Sequence, residues 1–483
     1  MFKLFHPVFY VCGILGFIVS AMALLVAAFA LVTSDPETWA FLNSAAITIV
    51  ISTVLSLVFR PTDRFVLSAR QLYLITSGSW LTMSLLCALP FMLCSASLSI
   101  TDAVFESVSG ITTTGSTVLV GLEKLPLSVL LWRSLLQWVG GLGVIGMAVS
   151  ILPFLQVGGM RLFHSESSDW SDKSLPRLQD MARALIGCYL LMSLLCMLGY
   201  RLAGMDWFDA INHTMTTVST GGYATSDASL GRFGSPVLWV SIVFMLLGSM
   251  PFAIFIRFLT RRTWRSLLDQ QVFAFLWIVA IATLALTMYL IVHNHLGFNE
   301  ALTQSAFNVV SIITTTGFAS TDYTLWGGFS VALFFFLTFV GGCSGSTSGG
   351  MKIFRFQLSA LFLRDQFRRL VHPQGVFVIR YNKEVVREDI LISAVAFSFL
   401  YLAALAALTL LLAALGIDFI TSISAAATAI GNVGPGLGPI IGPAGNFATI
   451  DPAAKWMLSF GMLLGRLELL TVMVLFTRSF WRG

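Results

Sequence analysis

The stretch SIITTTGFAS, residues 311–320, starts as an apolar run and then passes through Thr314, Thr315 and Thr316 into Gly317. A near copy, GITTTGSTVL, occupies residues 110–119. Two further stretches align with them, STGGYA at 219–224 and GNVGPG at 431–436, so that TTTGST, STGGYA, TTTGFA and GNVGPG all carry glycine at the fourth position: Gly115, Gly222, Gly317 and Gly434. Each follows a moderately apolar segment of about three helical turns, at 101–112, 207–219, 299–314 and 418–431. Such segments are too short to span a bilayer, which takes about 20 apolar residues. Each is followed by a long apolar run. The spacing therefore describes a unit of span, half-helix, loop and span, used four times.

Composition agrees with a membrane setting. Hydrophobic residues make up 57% of the 483-residue chain and charged residues 11%, against about 25% charge in soluble domains. Mean hydropathy is +0.87. Ten segments are long and apolar enough to cross: 8–33, 39–59, 71–95, 127–155, 182–203, 235–259, 271–293, 328–363, 389–415 and 453–477. The eighth is interrupted by polar, glycine-rich sequence. The first is too long for the apolar region of a cleavable signal. The expected fold is an all-α integral membrane protein. Four span–pore-helix–loop–span repeats surround a pseudo-fourfold pore, at 66–160, 161–265, 266–375 and 376–483, and an N-terminal two-helix hairpin, 1–65, precedes them. If the loops near 60–70, 156–183, 257–269 and 352–387 and both termini face the cytoplasm, all 28 Lys and Arg but six (Lys124, Arg133, Arg201, Arg232, Lys455 and Arg466) lie on that side, as the positive-inside rule requires. The opposite loops then hold twelve acids, among them Asp102, Glu106, Asp206, Asp209, Asp227, Asp322 and Asp451, which raise the local cation concentration.

Non-helical backbone at membrane depth must be buried in protein or line a wet cavity. Three or four extended residues ending in glycine can turn successive carbonyl oxygens toward a shared axis. Glycine takes a positive φ at little cost, whereas threonine or valine loses about 1–2 kcal/mol there. Four such stretches make stacked rings of carbonyls able to replace the water around a monovalent cation. Threonine favours extended backbone and adds a hydroxyl oxygen. The negative end of each half-helix dipole favours a cation at its C-terminus. The candidate ligands are Thr113, Thr114 and Gly115; Thr220, Gly221 and Gly222; Thr315, Thr316 and Gly317; and Asn432, Val433 and Gly434. No Asp or Glu lies in these stretches, so K⁺, Rb⁺ or Na⁺ suits them better than a divalent ion.

At this point the chain resembles the TrkH-type subunits of the Trk/Ktr/HKT superfamily of potassium transporters. The resemblance rests on TTTGST, STGGYATSDASLG, TTTGFAS, GNVGPGLG, LQWVGGLG, GGCSGSTSGGMK, RLVHP, GRLELLT and the terminal FWR, and spans residues 101–482. The extra N-terminal pair of spans suits the same subgroup. The resemblance implies potassium uptake across a bacterial inner membrane, a pore within one subunit, a homodimer, and assembly with a cytoplasmic TrkA-type subunit that binds nucleotides. Serine at the first filter glycine accompanies sodium permeation in related plant proteins, so four glycines favour potassium. The fourth stretch departs from the first, with Asn432 and Val433 where Thr113 and Thr114 stand.

The polar interruption, Gly341, Gly342, Cys343, Ser344, Gly345, Ser346, Thr347, Ser348, Gly349 and Gly350, disfavours helix. A phosphate-binding loop is excluded by spacing, because Met351 separates the glycines from Lys352 and no strand precedes. The resemblance implies an intramembrane gating loop instead. Arg466 lies in an apolar span, where a charge is functional by default. A pairing with Glu468 is disfavoured because residues two apart do not share a helix face. In the family the matching arginine faces the pore below the filter. Arg133, beside Trp132 and Trp138, is expected to anchor at the membrane interface. The pair His293 and His295 has no evident third metal ligand, and the six cysteines, without metal-ligand spacing, read as small buried residues.

The basic segment 352–388 obeys the positive-inside rule and offers a surface for anionic lipid or for the regulatory subunit. The chain itself shows no nucleotide site, no nucleic-acid site, no organic cofactor site and no catalytic set of an enzyme. A secondary transporter that couples K⁺ to H⁺ or Na⁺ is the competing reading. It is weakened by how few ionisable groups the spans offer, chiefly Glu468 and His213.

Overall fold

The computed structural model describes residues 2–61, 67–95, 97–150, 176–261, 269–382 and 384–482. The expected domain boundaries at 65/66, 160/161 and 265/266 fall outside them, as do parts of the basic loops at 60–70, 156–183 and 257–269.

Apolar runs of this length must satisfy their own backbone, and they do so as helices. Helices α1 (Phe2–Val32) and α2 (Thr38–Val58) form the expected hairpin. Small residues let them approach closely: Gly13 lies against Ser52 and Ser56, and Gly16 against Ser52. Next come α3 (Ala69–Cys87), α4 (Leu89–Leu93), α5 (Ile100–Ile111) and α6 (Leu127–Ser150). The second unit is α7 (Pro176–Leu202), α8 (Trp207–Val218), α9 (Ser235–Gly248) and α10 (Phe252–Arg261). The third is α11 (Gln270–Asn294), α12 (Phe298–Ile313), α13 (Gly328–Leu337) and α14 (Ile353–Val371). The fourth is α15 (Glu388–Ala414), α16 (Phe419–Gly431), α17 (Pro452–Arg466) and α18 (Leu469–Met473), followed by α19 (Arg478–Arg482). Two-residue strands, β1 (Arg380–Tyr381) and β2 (Glu384–Val385), pair antiparallel between α14 and α15.

Among the described residues, seven helices are long and apolar enough to cross a membrane, or nine if two bent pairs are each one span. The runs expected to span at 235–259 and 453–477 are each bent. The first run turns by 90° between α9 and α10, and the second by 112° after Arg466. Pro251 sits in the first break, where it cannot donate to a helix. At the second, Glu468 takes φ 62°. The eighth run splits, as expected, into α13 and α14. The basic segment that follows is not wholly loop, because α14 continues to Val371.

The four half-helices α5, α8, α12 and α16 occupy the predicted positions within a residue or two. Side chains of Ser99, Asp206 and Asp418 cap three of them by accepting from the amides of Asp102, Asp209 and Thr421. They are enclosed by the longer helices: in α5 every residue from Ala103 to Ile111 is buried. In α16 the row Ala425, Ala426, Ala427 and Ala429 packs in the core that also holds Phe105, Trp132 and Leu458. This burial is the condition under which chain ends can sit at membrane depth.

The contact between α1 and α2 generates a direct test. Gly16→Leu forces a side chain into Ser52 and Leu86, and overpacking of this kind costs about 1–3 kcal/mol. The melting temperature of the detergent-solubilised protein is expected to fall by several degrees, while the outward-facing Leu25→Ala leaves it near the unaltered value.

Candidate ion pathway

Each half-helix ends in the same way. Thr113 N–H donates to Gly110 O at 3.0 Å and Thr114 N–H to Ser109 O at 2.9 Å. The equivalent pairs are Thr220 to Thr217 and Gly221 to Thr216, Thr315 to Ile312 and Thr316 to Ser311, and Asn432 to Ala429 and Val433 to Thr428, all at 2.8–3.3 Å. This is the Schellman closure, which requires a left-handed residue at the first position beyond the cap. Thr113, Thr220, Thr315 and Asn432 supply it with φ of 52°, 52°, 57° and 52°. Two residues later Gly115, Gly222, Gly317 and Gly434 have φ of 91°, 78°, 80° and 107°. The sequence argument reserved positive φ for the glycines. The structure also places it on three threonines, where the cost is about 1–3 kcal/mol each. Glycine, the usual occupant of such a cap, would lack the hydroxyl that two of these threonines use below.

The glycines close a ring. A Cβ on Gly115 would strike the carbonyl oxygen of Gly221, one on Gly222 that of Thr316, and one on Gly317 that of Val433; one on Gly434 would lie 2.8 Å from Thr114 O. Each contact joins one stretch to the next, and the fourth returns to the first. The cycle brings the four glycine-terminated stretches that hold the twelve candidate residues against one another. None of the twelve has an acidic side chain. Thr114, Thr316 and Val433 point away into the protein: Thr114 Oγ1 is 2.7 Å from Thr112 Oγ1 and Thr316 Oγ1 is 2.8 Å from Thr314 Oγ1, while Val433 is fully buried. Asn432 Nδ2 donates to Thr114 Oγ1 and to Met462 O, both at 2.9 Å, tying the divergent fourth stretch to the first.

On one side of the ring lies a cavity of ≈ 270 Å³, bordered by Ser116, Gly222, Gly317, Pro435 and Asn446. The loops around it are clamped by carboxylates. Asp227 accepts from the amides of Gly121 and Leu122, and Glu123 accepts from Ser226 Oγ and the Asp227 amide. The Ser226 hydroxyl holds the Glu123 carboxyl below its usual range. Behind the ring, Arg133 is not an interfacial anchor. It is buried, pairs with Glu106 at 2.8 Å, donates to Ala224 O at 3.0 Å, and its guanidinium carbon lies 4.0 Å from the Tyr223 ring centroid. Glu106 also accepts from Thr117 Oγ1 and the Val118 amide. The sequence did not reveal this pair because the two residues lie on different helices. Arg232 and Asp209 make a second ion pair, and Lys455 and Asp102 a third at 2.6 Å.

On the other side runs the glycine-rich loop, residues 341–350. It fills the break between α9 and α10. Cys343 N–H donates to Ser249 O, Thr347 N–H to Gly248 O, and Phe252 N–H to Gly345 O, at 2.9, 3.2 and 3.0 Å. The same loop touches the ring. Thr220 Oγ1 donates to Thr347 Oγ1 at 3.2 Å, and Gly349 N–H donates to Thr315 Oγ1 at 2.7 Å. Gly349 also lies against Gly431 O and Asn432 Cβ. Ser344 N–H donates to Gln271 Oε1. Gly341 and Gly342 begin the loop, Ser346 Oγ closes a turn on Cys343 O at 2.6 Å, and Gly350 takes φ 65°. Lys352 Nζ donates to Ser348 O, so the lysine serves the loop itself. Arg466 Nη1 donates to Thr347 O at 2.9 Å. Arg466 and Glu468 do not pair, since Glu468 bonds Arg355 across to α14. A cavity of ≈ 30 Å³ lies among Ser348, Gly349, Arg466 and Glu468.

His293 stacks on Tyr289 with ring centroids 4.6 Å apart, and no group of three potential metal ligands exists among the described residues. His213 is buried, with Nδ1 2.9 Å from Asp209 O. All six cysteines are buried, and none forms a disulfide.

A family model described as TrkH, cation transport protein, matches residues 38–482. The chain is 50% identical over 480 residues to the Trk system potassium uptake protein TrkI of Halomonas elongata, covering 99% of this chain and 97% of that one. It is 36% identical over 489 residues to the Trk system potassium uptake protein TrkH of Escherichia coli K12, with 99% of both chains covered. The crystal structure of the potassium transporter TrkH from Vibrio parahaemolyticus superposes with a TM-score of 0.91 at 33% identity, covering 99% of this chain and 100% of that one. This multi-pass membrane chain belongs to the TrkH family of cation transport proteins.

Proposed function

We propose that the chain takes up K⁺ across a bacterial inner membrane through the ring formed by residues 113–115, 220–222, 315–317 and 432–434. One observation carries the reading: four glycine-terminated loops from a single polypeptide meet in a closed cycle, each glycine against the next loop's carbonyl. Backbone oxygens so gathered can stand in for the hydration shell of a monovalent cation. The C-termini of α5, α8, α12 and α16 end at that ring, and their dipoles favour a cation beside them. The hairpin and four repeats are then the working units of the chain, with both termini cytoplasmic and the ≈ 270 Å³ cavity as the outer mouth.

The loop 341–350 and Arg466 form the gate. The loop lies against the ring from within, held by Thr220 and Thr315, and Arg466 holds it in turn through Thr347 O. A buried guanidinium there opposes the passage of a cation. The loop continues directly into α14, whose exposed Arg364, Arg368 and Arg369, with Arg380 and Arg387 beyond, present a basic surface on the cytoplasmic side. In this reading a nucleotide-binding TrkA-type subunit docks there and moves the gate through α14, and the chain works as a homodimer. K⁺ is the cargo, and the chain holds no organic cofactor.

Two measurements test this. In proteoliposomes the purified chain should pass K⁺ and Rb⁺ ahead of Na⁺ and Li⁺, without needing a proton gradient. Gly222→Ala, which drives a methyl into Thr316 O, should abolish that order or the flux itself; unchanged preference would remove the ring from the mechanism. Separately, Arg466→Ala and deletion of Cys343–Gly349 should each raise K⁺ flux several-fold, whereas a fall in both would exclude the gate.

A further inference from the structure

The second loop breaks the pattern of the other three. At the position before the ring glycine they carry a side chain, Thr114, Thr316 or Val433, and the second loop has Gly221. The room is nevertheless filled. A Cβ on Gly221 would collide with the carboxamide of Gln137, a fully buried residue of α6 in the preceding repeat. That carboxamide spans the ring glycine. Its Nε2 donates to Gly221 O at 2.6 Å, and its Oε1 accepts from Tyr223 N–H at 3.0 Å. The orientation is dictated by chemistry, because a backbone N–H can only donate. The amide oxygen must face Tyr223, and the NH₂ group must face Gly221.

From this we infer that Gln137 is a positioning residue for ion selectivity, acting as a surrogate side chain for the second loop. The inference rests on the reading of the ring as a cation filter. Gly221 O is the atom that a Cβ on Gly115 would meet first, so it occupies the joint between the first and second loops. Two glycines in succession leave that stretch with more backbone freedom than any other part of the ring. Gln137 removes the freedom by holding the chain on both sides of Gly222. The bond to Nε2 uses one of the two acceptor sites of Gly221 O and fixes its direction, leaving the other for an ion. No equivalent is possible in the fourth loop, where Pro435 stands in place of Tyr223 and has no N–H.

Gln137→Met keeps the length and fills the space but cannot donate to Gly221 O, and its sulfur is only a weak acceptor for the Tyr223 N–H. Gln137→Leu also packs the space and offers no polar atom to either group. K⁺ and Na⁺ uptake into proteoliposomes is compared for both variants, with thermal stability followed in parallel. The K⁺ over Na⁺ ratio should fall by about tenfold in each, the equivalent of about one hydrogen bond, with K⁺ uptake and melting temperature changed far less. In a second arm, Gly221→Ala should be deleterious alone and partly rescued by Gln137→Ala, which vacates the contested space. Gln137→Met with the unaltered ratio, or no rescue in the double variant, overturns the inference. Failure of the unaltered chain to prefer K⁺ over Na⁺ would instead defeat the filter reading beneath it.

Discussion

Four glycines have no room for a side chain, each because the next loop's carbonyl oxygen is already there. This steric constraint organises the rest of the molecule. Carbonyl oxygens brought so close repel one another unless the surrounding protein holds them. The holding is done by half-helices closed with a Schellman bond pair, which aims the chain out of each helix end at a set angle. Three of those closures place threonine where left-handed backbone is unfavourable. Strain of that kind persists only where the surroundings over-determine the backbone. Here they do so through buried helices and through the hydroxyl contacts of Thr220 and Thr315 with the loop beneath.

The same accounting of backbone groups explains the broken helices. A bend in a lipid-facing span would strand amides and carbonyls in hydrocarbon, at several kcal/mol each. The break between α9 and α10 strands none of the groups that the 341–350 loop reaches: Gly248 O, Ser249 O and the Phe252 amide are bonded to Thr347, Cys343 and Gly345. Two irregular segments, each intolerable alone, satisfy one another. The buried pairs Arg133–Glu106 and Arg355–Glu468 follow the same rule for charge. Either partner alone would be an uncompensated ion, at about 3–5 kcal/mol.

Much of this was legible in the sequence. The register of Gly115, Gly222, Gly317 and Gly434 located all four loops, and hydropathy with loop charge located the half-helices within a residue or two. These are local signals, carried by residue type and spacing. The rest depends on contacts between distant parts of the chain. Arg133 beside two tryptophans reads as an interfacial anchor, and nothing local says that Glu106, on another helix, is within reach. Pro251 is a local mark of the bend after α9. Glu468 offered no comparable mark for the bend after α17. The left-handed threonines contradict their own propensity, so intrinsic preference argued against what the closure requires.

The ring is drawn from one polypeptide rather than from four identical subunits. In a symmetric tetramer any substitution at the ring arrives fourfold, and its energetic effect arrives fourfold with it. Here a codon change alters one wall and leaves three intact. Val433, Asn432 and the paired Gly221 and Gly222 record such wall-by-wall divergence. Under the filter reading proposed above, a ring of this construction changes its ion preference one wall at a time.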